Sequence, residues 1–262
     1  MSEEQRKFIK SYNRNKLVII IIRLFLIISF LLCWELLSKY NIINSFIFCS
    51  PLKIVKCIYN LYINNNIFNH ICITLYETLI SFIISMFISI TLSTILFLFN
   101  NVYKIFEPII NLFNSLPKVA LGPLIIIIFG ANINSVIVMG ILISFIVTSI
   151  MITNSFYNTN KTMIKLFKTF KSNSFQLIYY LIFPYNINTI ISAFKLGISM
   201  CLIGVISGEF LISKSGLGYL IIYGTQVFNM DLVFSGISLL LILSIILYEV
   251  VNFLDYLIIK KK

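Results

Sequence analysis

Few side chains in this sequence could do chemistry, and their spacing excludes more than it offers. Of the nine acids, Glu35, Glu77, Glu209, Glu249 and Asp255 lie within or beside apolar runs. They are scattered rather than paired, so no general acid and base couple is evident. The single histidine, His70, has nothing obvious to activate. The five cysteines, Cys33, Cys49, Cys57, Cys72 and Cys201, show neither CxxC pairing nor metal spacing and read as small apolar packers. "SKSGLGYLI" carries glycines but lacks the spacing and terminal Lys-Ser or Lys-Thr of a phosphate loop, so nucleotide hydrolysis by that route is excluded. No enzyme and no metal site are expected. What remains is a set of polar residues at helical spacing. Ser192, Lys195, Ser199 and Ser207 form one stripe, and Asn114, Ser115 and Lys118 precede a run of isoleucines. In a greasy segment such residues either bond to neighbouring helices or line a wet path.

The elements that must carry them follow from composition. Hydrophobic residues make up 59% of the 262 and charged residues 11%, about half the charge of a soluble domain. Several segments reach the roughly 20 apolar residues needed to cross a hydrocarbon core. Backbone in lipid must satisfy its own polar groups, so helices or a closed barrel are available. "LVIIIIRLFLIISFLLCW" (Leu17 to Trp34) does not alternate and is too long for a barrel strand. The fold class is therefore an all-α membrane protein. Its first segment is a retained span rather than a secretory signal, because no small-residue cleavage site follows "CWELLSKYN"; Arg23 can snorkel toward the basic side.

Six transmembrane spans are expected, at about 17–38, 74–99, 112–130, 133–157, 184–208 and 233–257. They lie in a single membrane domain over 17–259, between a basic segment at 1–16 and a basic tail at 260–262. With the N-terminus inside, the cytoplasmic pieces hold Arg6, Lys7, Lys10, Arg14, Lys16, Lys104, Lys161, Lys165, Lys168, Lys171 and Lys260 to Lys262. The opposite side holds only Lys39, Lys53, Lys56 and Lys214. This bias puts both termini in the cytoplasm and explains the formal +11 without nucleic acid as a partner.

Three further stretches are informative. "SPLKIVKCIYNLYINN" starts with Ser50 as N-cap and Pro51 at the first helical position, and Leu52, Val55, Tyr59 and Tyr62 share a face, giving an interfacial helix. In the long connection after the fourth span, Lys161, Lys165 and Lys168 line one face, while Met163, Leu166, Phe167 and Phe170 line the other. Such a helix either rests on anionic lipid or docks a soluble partner. In the fifth span, Gly197, Cys201, Gly204 and Gly208 allow close helix approach. Without a visible internal repeat or a deep acid with a basic partner, a secondary carrier is disfavoured. These observations alone reach a multi-span transporter or channel subunit.

Three stretches add a resemblance: "EPIINLFNSLPKVALGPLIIIIFG" (Glu107 to Gly130), "FPYNINTIISAFKLGIS" (Phe183 to Ser199) and "GEFLISKSGLGYLIIYGTQVFNMDLVFSGI" (Gly208 to Ile237). Together they resemble the permease subunit of bacterial type I ATP-binding-cassette importers, in the nitrate, sulfonate and taurine branch. The resemblance implies a multi-pass permease in the bacterial plasma membrane, working as a homodimer with separate cassette ATPase subunits and an extracytoplasmic substrate-binding protein. ATP and magnesium would be bound by the ATPase and no cofactor by this chain. An ion-coupled secondary transporter or channel subunit is the alternative.

By the same resemblance, the connection bearing Lys161, Lys165, Leu166, Phe167, Phe170, Lys171 and Pro184 is the ATPase-coupling helix. The family's Glu-Ala-Ala falls on Lys165, Leu166 and Phe167, its glycine on Lys171 and its proline on Pro184, and only the proline is kept. "NSLPKVALGPL" would begin the third span near the translocation path, with Asn114, Ser115 and Lys118 facing protein or a wet cavity; a plain cytoplasmic lead-in to a short span is the simpler possibility. Ser192, Lys195 and Ser199 are further path candidates. Glu209, Gly216 and Gly218 belong to an external segment that helps close the outer mouth where a binding protein docks, with Glu209 as a helix-end anchor.

Overall fold

The computed structural model describes residues 3–40, 42–44, 48–64, 67–212 and 214–259. The tail expected at 260–262 and the side chains of the basic segment at 1–16 lie outside the described residues. Twelve helices run through the described chain: α1 Glu3–Lys39, α2 Pro51–Ile63, α3 Ile67–Leu98, α4 Asn100–Ser115, α5 Gly122–Phe129, α6 Ile133–Tyr157, α7 Lys161–Thr169, α8 Ser174–Leu177, α9 Phe183–Tyr185, α10 Ile187–Ile212, α11 Leu217–Gln226 and α12 Met230–Ile259. No strand occurs among them.

Five helices are long and apolar enough to cross a membrane: Ile21–Lys39 within α1, then α3, α6, α10 and Met230–Leu257 within α12. The span expected at 112–130 is not one helix. α4 ends at Ser115, a 3-10 turn covers Lys118–Leu121, and α5 follows at 89° to α4. Pro117 and Pro123 donate no backbone hydrogen bond, so the chain bends where polar residues cluster. The eight residues of α5 reach only about 12 Å, far short of the roughly 30 Å of hydrocarbon. The sixth crossing, if made, needs the bent pair together.

α6 and α10 pack along their length, with α3 against both. Small residues set this closeness: a Cβ on Gly204 would meet the Gly140 Cα at 2.7 Å, and one on Gly208 would meet the Val136 Cα at 3.0 Å. A serine and threonine ladder ties α3 to α6. Ser89 bonds Thr148 at 2.7 Å, Thr153 donates to Ser93 at 3.0 Å, and Ser81 donates to the Ile137 carbonyl at 3.0 Å. One apolar core joins α10, α11 and α12 through Leu202, Leu217, Leu220, Leu243 and Leu247. A second, around Ile152, Phe156, Ile182 and Ala193, holds the connection between α6 and α10.

α1 stays peripheral: only 6% of its most apolar window is buried. It is tied through Trp34, whose ring packs on Phe234 at 5.7 Å, and through Glu35, which accepts the Leu52 N–H. Ser50 caps α2, and Leu52, Val55, Tyr59 and Tyr62 form its exposed face while Ile54 turns inward. Arg23 is exposed on α1. Of the five cysteines expected as apolar packers, Cys33 and Cys72 are exposed, Cys201 is buried, and so is Cys49. Its thiol donates to Asp231 at 2.9 Å, and burial first, then the Asp231 carboxylate, push it up to about 12.

Candidate functional site

The long connection folds as short helices held by caps. Asn160 accepts from the Thr162 N–H to start α7, and Asn173 with Gln176 forms a capping box for α8. A π turn, Ile178–Ile182, leads into α9, which contains Pro184. Lys171, just after α7, takes φ 55. This is the left-handed region, where the resemblance places a glycine.

The apolar residues of α7 divide between two faces. Phe167 packs with Ile164 against the core around Phe156, so it does not share an outer face with the others as its spacing suggested. Met163, Leu166 and Phe170 stay exposed, Phe170 at 75%. Lys161, Lys165 and Lys168 are exposed beside them. The result is a small greasy ridge flanked by cations.

At the bend between α4 and α5, Lys118 donates to the Asn114 carbonyl and to Asn114 Oδ1, both at 3.1 Å. The ammonium therefore caps the open carbonyls at the end of α4. Ser115 donates to Leu112 at 2.7 Å. Asn114 and Ser115 are exposed and Lys118 partly so; Lys118 also lines a mostly apolar cavity of about 220 Å³ with Leu92, Phe113 and Phe145.

The α10 stripe is split. Ser192, Ser199 and Ser207 turn back on their own helix, donating to Asn188, Lys195 and Ile203. Lys195 reaches α12, donating to Asp255 at 2.5 Å and Asn252 at 2.9 Å. These two charges, 60 positions apart, meet only once α10 and α12 pack, a pairing that their places in the sequence do not show.

The segment joining α10 to α11 is built around Glu209. Three successive backbone N–H groups open α11: Gly216 donates to His70 Nδ1 at 3.0 Å, Leu217 to Thr74 at 2.8 Å and Gly218 to Glu209 Oε2 at 2.5 Å. The Thr74 hydroxyl in turn donates to Glu209 Oε1 at 2.6 Å. Gly216 has φ 110, and a Cβ on Gly218 would meet Glu209 Oε2 at 2.7 Å, so only bare backbone fits around the carboxylate. These bonds tie Glu209 to the start of α11. His70 is a structural acceptor here and stacks on Tyr219.

Sequence reasoning missed Glu77. Its carboxyl is wholly buried beside that of Glu209, close enough for the two to interact directly, yet neither oxygen has a hydrogen-bond partner within normal distance. A signal was available: Thr74, Glu77, Thr78, Ser81, Ser85, Ser89 and Ser93 recur at steps of one to four along one apolar helix and mark its protein-facing side.

A family model, "Binding-protein-dependent transport system inner membrane component", matches residues 85–261. A probable ABC transporter permease protein of Haemophilus influenzae is 24% identical over 224 residues, 86% of this chain and 91% of that protein. The formylaminopyrimidine transport permease protein ThiX of Halalkalibacterium halodurans is 26% identical over 222 residues, 85% of this chain and 88% of that protein. The taurine transport system permease protein TauC of Escherichia coli is 20% identical over 186 residues, 71% and 68% of the two chains. Among solved structures, a chain of the MetNI methionine ABC transporter in inward facing conformations superposes with TM-score 0.59 at 14% identity, over 72% of this chain and 93% of that one. The fold is that of a type I ABC importer permease. The function is that of an ABC importer's permease subunit rather than an ion-coupled carrier or channel. Since the family match extends over more than half of the sequence, the chain belongs to the binding-protein-dependent transport system inner membrane components.

Proposed function

We propose that this permease works as a homodimer, levered between outward and inward access by cassette ATPase subunits that grip α7 from the cytoplasm. An extracytoplasmic binding protein delivers substrate at the opposite face, and both termini lie in the cytoplasm. ATP and magnesium sit on the ATPase, and this chain binds no nucleotide itself. The observation that carries the reading is the division of α7: Ile164 and Phe167 are locked into the permease core, while Met163, Leu166 and Phe170 face outward with Lys161 and Lys165. A lever needs one side fixed to what it moves and the other side available to what pushes it. Lys165 and Lys171 stand where the family pattern has an acid and a glycine, so the matching ATPase groove is wider and more acidic than usual. Pro184 ends the lever at the start of α10.

The translocation path is assigned to the inner side of the α4–α5 bend, with Asn114, Ser115 and Lys118, and to Ser192 and Ser199 of α10. Lys195 is assigned to tying α10 to α12 so that the two tilt together. Glu209, Gly216 and Gly218 hold the outer gate. The substrate belongs to the class of small polar solutes named for the relatives, with the binding protein making the choice.

Co-purification with the cognate ATPase tests the lever. Leu166→Asp with Phe170→Asp is expected to abolish the association at normal permease yield. Phe167→Asp instead lowers the yield of folded protein, because it buries a charge in a core. Retained association in the double variant would remove α7 as the docking element.

A further inference from the structure

Beside the α4–α5 bend, two adjacent cavities lie between α3, α4 and α6. The larger, about 220 Å³, is walled by Leu92, Phe113, Leu142 and Phe145. The smaller, about 70 Å³, is polar, with Tyr103, Glu107, Asn111 and Asn154 on its walls. Ile110 and Ser149 border both. Ser149 is 1% exposed, and its hydroxyl has no hydrogen-bond partner among the described residues, although its carbonyl accepts from Ser93 at 3.1 Å. A buried hydroxyl left idle costs free energy unless a guest completes it. Glu107 is short of a partner too. The Tyr103 hydroxyl bonds to it, but the one ion pair among the described residues joins Lys195 to Asp255, so Lys104, one turn away on α4, does not pair with it. An ionisable residue in a membrane-crossing element is placed where a polar guest or water can meet it.

We propose that these two cavities together bind a small organic ammonium, with its primary amine head between Glu107 and Ser149 and a body of one ring or a short alkyl chain in the apolar end. The size fits, because an apolar cavity of about 150 Å³ already holds a benzene ring. The head follows from what the polar end offers. The Glu107 carboxylate, the Ser149 hydroxyl and the amide oxygens of Asn111 and Asn154 all accept hydrogen bonds, and an ammonium brings three N–H donors and no acceptor. An anionic head would meet the Glu107 carboxylate instead. Lys118 does not offset that charge: it borders the apolar cavity, but its ammonium is held by two oxygens of Asn114, each at 3.1 Å. A guest without a polar head would leave Ser149 and Glu107 as they are. The inference rests on the reading of the α4–α5 bend as translocation path only for its meaning in transport, where it names the head group; occupancy is read on the permease alone, so the two can fail separately.

The test is thermal unfolding of the purified full-length chain in detergent, at neutral pH and constant ionic strength, with benzylammonium, benzyl alcohol and benzenesulfonate as probes that share a ring and differ in the head. A bound solute stabilises by mass action, so benzylammonium is expected to raise Tm saturably by about 2 °C or more, benzyl alcohol to raise it less, and benzenesulfonate to leave it unchanged. Glu107→Gln, at an exposed position, is expected to fold normally and to raise the half-maximal benzylammonium concentration about tenfold, with the benzyl alcohol response retained. Ser149→Ala weakens the response to both. Benzenesulfonate acting as strongly as benzylammonium, no saturable response to benzylammonium, or a response equal in the wild type, Glu107→Gln and Ser149→Ala would overturn the proposal. A binding response that holds while benzylammonium leaves substrate uptake by the assembled transporter unaffected would keep the site and remove the bend from the path.

Discussion

Lys171 is the residue at which local strain and departure from the family pattern coincide. A β-carbon at φ 55 crowds the carbonyl oxygen, at about 1–2 kcal/mol. Lys171→Gly is expected to raise Tm by several degrees without weakening ATPase association, and a fall in Tm would show that the lysine side chain has a compensating contact. Glu209 is under the opposite constraint. Glu209→Ala strands the Gly218 N–H and the Thr74 hydroxyl, costing about 2 kcal/mol. Limited proteolysis should then cut near 213–218 in the variant and not in the wild type. Glu209 was legible as a helix-end anchor through the family resemblance, which put it in one segment with Gly216 and Gly218. Its neighbour Glu77 was not. An acid in a long apolar helix announces that it faces protein, but which carboxyl it will meet is decided by the packing of residues 132 positions away along the chain. The Lys195 and Asp255 pair escaped the sequence for the same reason.

The elements differ in how far their patterns specify them. Long apolar helices such as α3, α6 and α10 could be read from length and composition, because lipid enforces internal hydrogen bonding wherever such a run occurs. The bent α4 and α5 pair could not be read as a single crossing. Hydropathy sums a window and is blind to direction, so the isoleucines at 125–128 masked what Pro117, Asn114 and Lys118 were signalling. For α7, periodicity found the helix and put 163, 166, 167 and 170 on one face; Phe167 lies at the edge of that face next to Ile164, and the core around Phe156 takes that edge. The α6–α10 contact is the tightest test of packing. Gly204→Ala places a methyl group at 2.7 Å from the Gly140 Cα, where backbone rather than a flexible side chain must yield. It is expected to cost about 1–3 kcal/mol, seen as a Tm drop of several degrees. An unchanged Tm would mean that the two helices slide apart without penalty.

At the scale of the whole molecule, the tightly packed α3, α6 and α10 are the body that a lever at α7 would tilt, and the α11 segment pinned to Glu209 is the part of that body proposed to face the outer mouth. Nothing in the sequence resembles a phosphate loop, and the family is defined by transport with a binding protein. On the proposed mechanism, the energy for movement enters from a neighbouring ATPase across the Met163, Leu166 and Phe170 ridge. The most direct measurement is substrate uptake into proteoliposomes containing the permease, its cassette ATPase and its binding protein. Uptake is predicted to require ATP together with all three proteins, and to vanish with Leu166→Asp and Phe170→Asp on the permease. Uptake by the permease alone under a sodium or proton gradient would contradict the account.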